Sequence, residues 1–195
     1  QRYLENSLET AEDVGSELVV IKLNTPGGLL DATREMVGSI IESNVPIVVY
    51  VAPSGAQAAS AGTFIAAAAN IIAMAPATSI GAASPVQAGG GDFEGALKEK
   101  AYQDTAAEIR SIAELRNRPA DVLESTVFEA RAFSAQEAVD LGIADVIAND
   151  LNDLFHQIDG MTVVVMGPAG ETERVINTQG ISQYNIEMGF FGRIL

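Results

Sequence analysis

A single serine stands in the middle of a run of very small side chains, GAQAASAGTFIAAAAN at residues 55–70. Ser60 follows a strand-like segment and opens a predicted helix, where free backbone amides can bind an anion and small neighbours let a substrate carbonyl approach the hydroxyl. Serine is also among the best residues for capping a helix N-terminus. The residues alone therefore favour a helix cap at Ser60 and leave a nucleophile as the alternative.

A nucleophilic serine needs a base that accepts its proton, and the sequence offers few. His156 is the only histidine; it lies in a segment typical of a surface helix, so we expect it to be structural or solvated rather than catalytic. A lysine kept neutral by burial can serve instead. A helical wheel places Lys98 nearer the apolar stripe of its predicted helix than Lys100, but spacing alone leaves both lysines open.

Two glycines follow the first predicted strand, in NTPGG at residues 24–28. The amides of Gly27 and Gly28 carry no side chain beside them, so they can line an oxyanion site or pair with an extended peptide. An ordinary β-turn is the alternative interpretation.

Composition and charge exclude several classes of function. The net charge of −15 repels a phosphate backbone, which makes a nucleic-acid partner a poor hypothesis. The chain has no cysteine, and its acidic residues are scattered, so we expect neither a metal site nor a cofactor. The apolar stretch over residues 45–77 is interrupted by polar residues and prolines into pieces shorter than the roughly 20 residues of a membrane span, which indicates buried core.

Alternating strand and helix patterns predict an α/β fold. Residues 18–23 form a β-branched run, residues 29–44 have the spacing of an amphipathic helix, and residues 45–53 return to strand. A small-residue helix over 60–69 and strands at 71–76 and 78–80 repeat the pattern. We therefore expect mostly parallel strands joined by helical crossovers.

The second half of the chain carries clear helix signals. We predict a long helix over 97–116, a helix beginning near Pro119, and a helix opened by a capping box of Ser134 and Glu137. A strand at 143–148, a helix capped by Asp150 and a hairpin over 161–177 follow. We accordingly divide the chain into a main domain, 1–160, and an appended hairpin and apolar tail, 161–195.

Four motifs in this order resemble the N-terminal protease domain of NfeD-type membrane-bound serine proteases, which are relatives of ClpP and of signal peptide peptidase A. The resemblance covers about Ala11 to Phe155. The motifs are NTPGGLLDATREMVGSI, APSGAQAASAGTFIAAAANIIAMAPATSIGAASPV, KAYQDTAAEIRSIAELRNR and FSAQEAVDLGIADVIANDLNDLF. This resemblance implies a ClpP/crotonase-like fold of repeated β-α-β units with a small C-terminal β-hairpin.

The resemblance also implies roles for individual residues. The nucleophile of the family falls on Ser60, and its general base, a lysine four residues before an aspartate, falls on Lys100. Lys98 is the alternative base. The oxyanion donors fall on the amides of Gly28 and Ala61, with Gly27 beside them and the substrate strand along PGG.

The same resemblance implies a substrate and a setting. A Ser-Lys dyad would cleave apolar segments of membrane-associated proteins such as stomatin-like partners, in a homodimer or larger oligomer of a membrane-anchored protein. Residues 86–95 correspond to a lid loop. The sequence begins inside the family's first helix, so we expect one strand to be missing, and we expect the apolar tail at 188–195 to precede a membrane helix.

Two other functions fit the same fold. A crotonase-type acyl-CoA hydratase or isomerase also holds an oxyanion with paired amides. It needs carboxylates at the site and a cationic surface for the CoA phosphates. The net charge of −15 argues against such a surface. A non-catalytic scaffold is the other alternative. Peptide hydrolysis that depends on Ser60 separates both from a protease.

Overall fold

The structure, a computed structural model, describes residues 2–87, 94–167 and 170–186, and within these ranges the chain forms seven helices and nine strands. The helices are α1 Arg2–Asp13, α2 Leu30–Ile41, α3 Ala61–Ala68, α4 Gly95–Leu115, α5 Ala120–Phe128, α6 Ala135–Asp140 and α7 Leu151–Ile158. The strands are β1 Val19–Leu23, β2 Ile47–Val51, β3 Gln57–Ala59, β4 Ile71–Met74, β5 Ser79–Gly81, β6 Ala132–Ser134, β7 Val146–Ile147, β8 Thr162–Gly167 and β9 Gly170–Val175.

The central sheet is parallel and has the strand order β1-β2-β4-β7. Every residue of β2 and of β4 is buried. Continuous apolar strands of this kind are what a parallel sheet needs when both of its faces are covered. The predicted mostly parallel α/β architecture is therefore confirmed.

Successive side chains of the central strands point into two different cores, as the period of a strand requires. Val49 and Met74 belong to the core that also contains residues of α2, α3 and α4. Val48 and Tyr50 belong to the second core, which contains residues of α7 and of the β8–β9 hairpin. The helices that carry the candidate chemistry thus cover one face of the sheet.

A second, three-stranded sheet with the order β3-β5-β6 was only partly predicted. Its strand β3 pairs in parallel with β5, which pairs in antiparallel fashion with β6. The sequence predicted β5 but neither β3 nor β6, because these strands are only three residues long and lack the β-branched side chains that mark a strand. This small sheet leads directly into Ser60.

The predicted helix signals are confirmed. The Ser134 hydroxyl accepts a hydrogen bond from the Glu137 amide, and the Glu137 carboxylate accepts one from the Ser134 amide. The Asp150 carboxylate accepts from the amides of Asn152 and Asp153. The two antiparallel strands β8 and β9 confirm the hairpin.

Some expectations fall outside the described residues. Residues 88–93, most of the expected lid loop, and the apolar tail at 188–195 are among them. Within the part of the chain that is described, no helix combines the length and the apolar character needed to cross a membrane. The division at residue 160 stays a prediction; Val163 and Val165 of the hairpin pack into the second core.

Candidate active site

Ser60 lies in a strained turn between β3 and α3. Its backbone has φ 53° and ψ −116°, a conformation that residues with a side chain rarely adopt. Such strain costs about 1–3 kcal/mol and is concentrated at functional sites. Ser60 occupies the N-cap position, but its side chain makes no capping hydrogen bond. The expectation that the Ser60 side chain caps the helix is therefore wrong, because a capping serine has an extended backbone and its side-chain oxygen accepts a hydrogen bond from a first-turn amide.

Hydrogen bonds from both sides hold this turn. The Ser60 amide donates to the carbonyl of Gly81 over 3.1 Å, and the Ser60 carbonyl accepts from the amide of Thr63 over 2.9 Å. The buried Thr63 hydroxyl lies 3.0 Å from the Gly81 carbonyl oxygen and 3.1 Å from that of Ala58. The end of β5 therefore fixes the backbone on which the serine hydroxyl stands.

The predicted glycine pair lies directly against the serine. Gly27 has φ 146°, and a Cβ at this position would lie 3.2 Å from the Ser60 Cβ and 3.5 Å from its Oγ. A Cβ at Gly28 would lie 3.6 Å from the Cβ of Ala61. The structure thus brings together four of the five site residues that the sequence singled out.

The backbone amides of these residues differ in what they bind. The Gly27 amide donates to the Thr25 hydroxyl over 3.2 Å. The amides of Gly28 and Ala61 have no hydrogen-bond partner within the described residues. Two unpaired donors beside a hydroxyl are what a developing oxyanion requires, whereas the Gly27 amide is already occupied.

The fifth site residue, Lys100, lies in the second turn of α4 and is exposed to solvent. Lys98 is exposed as well, with its ammonium 5.6 Å from the ring centroid of Tyr102. The expected burial of the lysine is wrong, because the buried stripe of α4 begins only at Thr105 and Leu97 is 68% exposed. No hydrogen bond joins Lys100 to Ser60 within the described residues.

Helix α4 nevertheless has a defined position. It packs against α3, the helix that Ser60 opens. Arg34 of α2 donates to Glu108 of α4 over 3.0 Å and 3.1 Å, and this bond raises the pKa of the Arg34 guanidinium. Arg110 of α4 binds Glu124 of α5 in a bidentate pair, which holds the pKa of the Glu124 carboxyl below its ordinary value. The helix that carries both lysines is therefore tied to its two neighbours.

His156 lies elsewhere, as expected. It is exposed on α7 and lines a cavity of about 540 Å³ together with residues such as Phe155, Asp159 and Thr178. None of the site residues around Ser60 lines this cavity. Among the described residues, no cluster of three or more acidic or histidine side chains is placed to hold a metal ion.

Sequence reasoning missed several residues that build the site. Thr25, inside the motif NTPGG, and Thr63, in the first turn of α3, were not identified as site residues from the sequence. Gly62 and Gly81 are required by close approach: a Cβ at Gly62 would lie 2.7 Å from the Thr25 methyl group, and one at Gly81 would overlap the Arg131 carbonyl oxygen. The small residues of the motifs were the only sequence signal for these contacts, and they do not identify the atoms that come close.

Known proteins match this chain along most of its length. The family model described as NfeD1b, N-terminal domain, matches residues 1–165. The chain is 39% identical over 154 residues to the membrane-bound protease PH1510 of Pyrococcus horikoshii, an alignment that covers 77% of this chain and 34% of that protein. The chain therefore spans about a third of the length of this curated relative.

Solved structures match the fold. The 1510-N membrane-bound stomatin-specific protease, in a lysine-to-alanine mutant bound to a substrate peptide, superposes with a TM-score of 0.90 at 31% identity, covering 98% of this chain and 87% of that one. ClpP1 from Listeria monocytogenes gives a TM-score of 0.58 at 22% identity, covering 75% and 82%. The latter likeness concerns the fold alone, and it confirms the predicted ClpP-like architecture.

Proposed function

The chain belongs to the family of NfeD1b N-terminal domains, and from this premise we propose that it is a serine endopeptidase with Ser60 as nucleophile and Lys100 as general base. One observation carries the proposal. A serine in a strained turn, with its hydroxyl free of any capping bond, lies next to two unpaired backbone amides: Ala61 follows it in the chain, and Gly28 packs against Ala61. This arrangement supports acyl transfer to the serine, which needs a free hydroxyl and donors for an oxyanion.

The reaction proceeds through an acyl-enzyme. The neutral Lys100 amine takes the proton of the Ser60 hydroxyl while Oγ attacks the carbonyl carbon of the scissile peptide bond. The amides of Gly28 and Ala61 donate to the oxygen that becomes negative. The intermediate collapses, the lysine returns the proton to the leaving amine, and water then releases the acyl group by the same steps in reverse order.

The base must lose its own proton before it acts, and Lys100 is exposed in the free chain. Catalytic contacts in free enzymes are often long and tighten only with substrate. The similar 1510-N structure, which holds a substrate peptide when a lysine is replaced by alanine, supports a lysine in this role.

The surface beside the glycine pair favours apolar substrates. Leu29 and Leu30 follow Gly28 directly and are 77% and 50% exposed. The 1510-N relative is described as specific for stomatin. We therefore assign apolar segments of membrane-associated, stomatin-like proteins as substrates, and we infer that the domain acts as a homodimer or larger oligomer within a membrane-associated protein.

The proposal is tested by hydrolysis of an apolar fluorogenic peptide. Ser60→Ala and Lys100→Ala are each expected to lower kcat by at least about 1,000-fold, the usual scale for loss of a nucleophile or its base. A fluorophosphonate should label the wild-type chain on the peptide that contains Ser60.

Matched controls lie close by. Ser54→Ala removes an exposed serine of the preceding turn, and Lys98→Ala removes the neighbouring lysine; both should keep kcat within about 3-fold of wild type. Hydrolysis that survives Ser60→Ala would refute the nucleophile. Loss of activity in Lys98→Ala but not in Lys100→Ala would move the base to Lys98. A stable wild-type chain without hydrolysis would favour the scaffold alternative.

A further inference from the structure

Thr25 is joined to the strand that leads into the nucleophile. It follows β1 and forms an isolated parallel bridge with Ala58. Its amide donates to the carbonyl of Gln57 over 2.7 Å, and its carbonyl accepts from the amide of Ala59 over 3.1 Å. The backbone of Thr25 is therefore held in fixed register with β3, one residue before Ser60.

The Thr25 hydroxyl binds both polar groups of Gly27. It accepts from the Gly27 amide over 3.2 Å and donates to the Gly27 carbonyl over 2.8 Å. The Gly27 carbonyl belongs to the same planar trans peptide unit as the Gly28 amide, so the two groups point in opposite directions. Fixing the carbonyl toward Thr25 therefore fixes the Gly28 N–H away from it.

This constraint is needed because the turn has little stiffness of its own. Gly27 has φ 146° and carries no side chain that could limit its rotation. Gly28 is exposed, and its amide has no hydrogen-bond partner within the described residues. The threonine hydroxyl is thus the contact that sets the direction of this donor.

The methyl group of Thr25 reaches the other half of the site. A Cβ at Gly62 would lie 2.7 Å from the Thr25 Cγ2, so the first turn of α3 packs directly on this methyl. Ala61, the second unpaired donor, precedes Gly62 in the chain. One side chain thus contacts the segments that carry both candidate oxyanion donors.

We propose that Thr25 is a positioning residue that orients the Gly28 amide toward the oxyanion, with its hydroxyl as the acting group. The inference rests on the proposed peptidase function. An amide donor that is misdirected in the transition state costs rate rather than substrate affinity.

The two groups of Thr25 can be removed separately. Thr25→Val keeps the shape and the methyl contact with Gly62 but loses the hydroxyl, and Thr25→Ser keeps the hydroxyl but loses the methyl group. On the apolar peptide substrate, Thr25→Val is expected to lower kcat by about 10- to 100-fold, with KM within about 3-fold of wild type. Thr25→Ser should retain kcat within about 3-fold, because the hydrogen bonds to Gly27 remain.

Amide hydrogen exchange at Gly27 provides a readout that needs no catalysis. The Gly27 amide should exchange faster in Thr25→Val than in the wild type or in Thr25→Ser, since only Val removes its acceptor. Thermal unfolding of all three chains shows whether each variant is folded. A wild-type chain that hydrolyses nothing while Gly27 exchange still responds to Val would refute the peptidase function and leave the turn-holding role supported.

The role of Thr25 itself would be overturned by wild-type kcat in Thr25→Val, by an equal loss of kcat in Thr25→Ser, or by unchanged Gly27 exchange in Thr25→Val. A folded Thr25→Val whose loss of kcat/KM lies entirely in KM would also contradict it, because that pattern belongs to substrate binding.

Discussion

At the scale of single residues, the small side chains around Ser60 are required by specific close contacts. Gly27 leaves room for the Ser60 side chain, and Gly62 leaves room for the methyl group of Thr25. Gly81 accepts the Ser60 amide through its carbonyl and lies against the backbone of β6. These three glycines are therefore required by the packing around the turn that carries Ser60.

Gly81→Ala tests this packing. A Cβ at Gly81 would overlap the Arg131 carbonyl oxygen and lie 2.8 Å from the Cα of Ala132, in a backbone with φ 129°. We expect the free energy of unfolding to fall by more than about 2 kcal/mol, because β6 must move and the conformation is strained. Urea unfolding measures the change.

Gly55→Ala is the matched control. Gly55 also has a positive φ, 84°, but a Cβ there meets nothing within 4 Å. Its replacement should cost only the conformational strain, about 1 kcal/mol. Equal losses in the two variants would show that strain, rather than contact with β6, governs Gly81.

Single residues also show how much of the candidate site could be predicted from the sequence. The residues themselves made Gly27, Gly28 and Ser60 candidates, because small residues at strand ends and helix starts can line an anion site, and the family resemblance added Ala61. The backbone angles of Ser60 and the hydrogen bonds of Thr25 could not be predicted, since both depend on how β3, β5 and the first turn of α3 meet in space.

At the scale of elements, the sequence patterns predicted where helices lie along the chain better than they predicted which helix residues are buried. The sequence predicted α4 within two residues of its bounds. It did not predict that the first turns of α4, with both lysines, lie outside the core. Periodicity identifies which face of a helix is apolar, but where that face begins to meet a neighbour depends on tertiary packing.

Helix α7 is an element whose polar contacts depend on pH. At its C-terminal end, the Asp159 carboxylate accepts from the Thr178 amide over 2.8 Å and from the Gln179 side chain over 2.8 Å. These bonds hold the pKa of Asp159 below its ordinary value of 3.8, and the bond from the Thr178 amide has the largest effect. The ionised carboxylate thus fixes the segment after the hairpin onto the helix.

We expect this attachment to weaken only in acid. Because the folded-state pKa of Asp159 is lowered, its contribution to stability is present above pH 3.8 and is lost as pH falls through the folded pKa. The Thr178 amide proton, followed by NMR, should titrate with a midpoint below 3.8, and Asp159→Asn should abolish the step. A midpoint at or above 3.8 would contradict the inferred bond.

Asp153 supplies the internal control for this titration. It lies near the start of the same helix, and its carboxylate accepts from the Asn149 amide over 2.8 Å, which lowers its pKa. The Asn149 amide proton should keep its own titration step in Asp159→Asn. Loss of both steps would indicate that the whole helix, rather than one contact, had changed.

At the scale of the whole molecule, two arginines after α4 join elements that are distant in sequence. Arg116 donates to the carbonyls of Ala68 at the end of α3 and Val164 in the hairpin. Burial, and then the charge of Arg118, lower the pKa of the Arg116 guanidinium. The hairpin is thereby tied to the helix that Ser60 opens.

Arg118 makes the deeper connection. Its side chain is only 4% exposed; it donates to the Ile143 carbonyl over 2.7 Å and to the Asp145 carboxylate over 3.1 Å. Asp145 in turn accepts from the amide of Ile72 at the start of β4 over 2.7 Å. The segment after α4, the loop before β7 and the central sheet therefore share one polar network around a buried arginine.

Arg118→Ala tests whether this network stabilises the fold as a unit. The substitution removes a buried side chain and leaves the buried Ile143 carbonyl without its donor, so we expect the free energy of unfolding in urea to fall by about 3 kcal/mol. Arg118→Lys should restore little of it, because an ammonium cannot reproduce the planar fork.

Arg110→Ala removes an arginine whose side chain is 42% exposed and ion-paired to Glu124, and it should cost less than about 1 kcal/mol. If Arg118→Ala and Arg110→Ala destabilise the chain equally, the network contributes no more than a surface ion pair. A large loss confined to Arg118 would show that its contacts stabilise the fold more than a surface ion pair does.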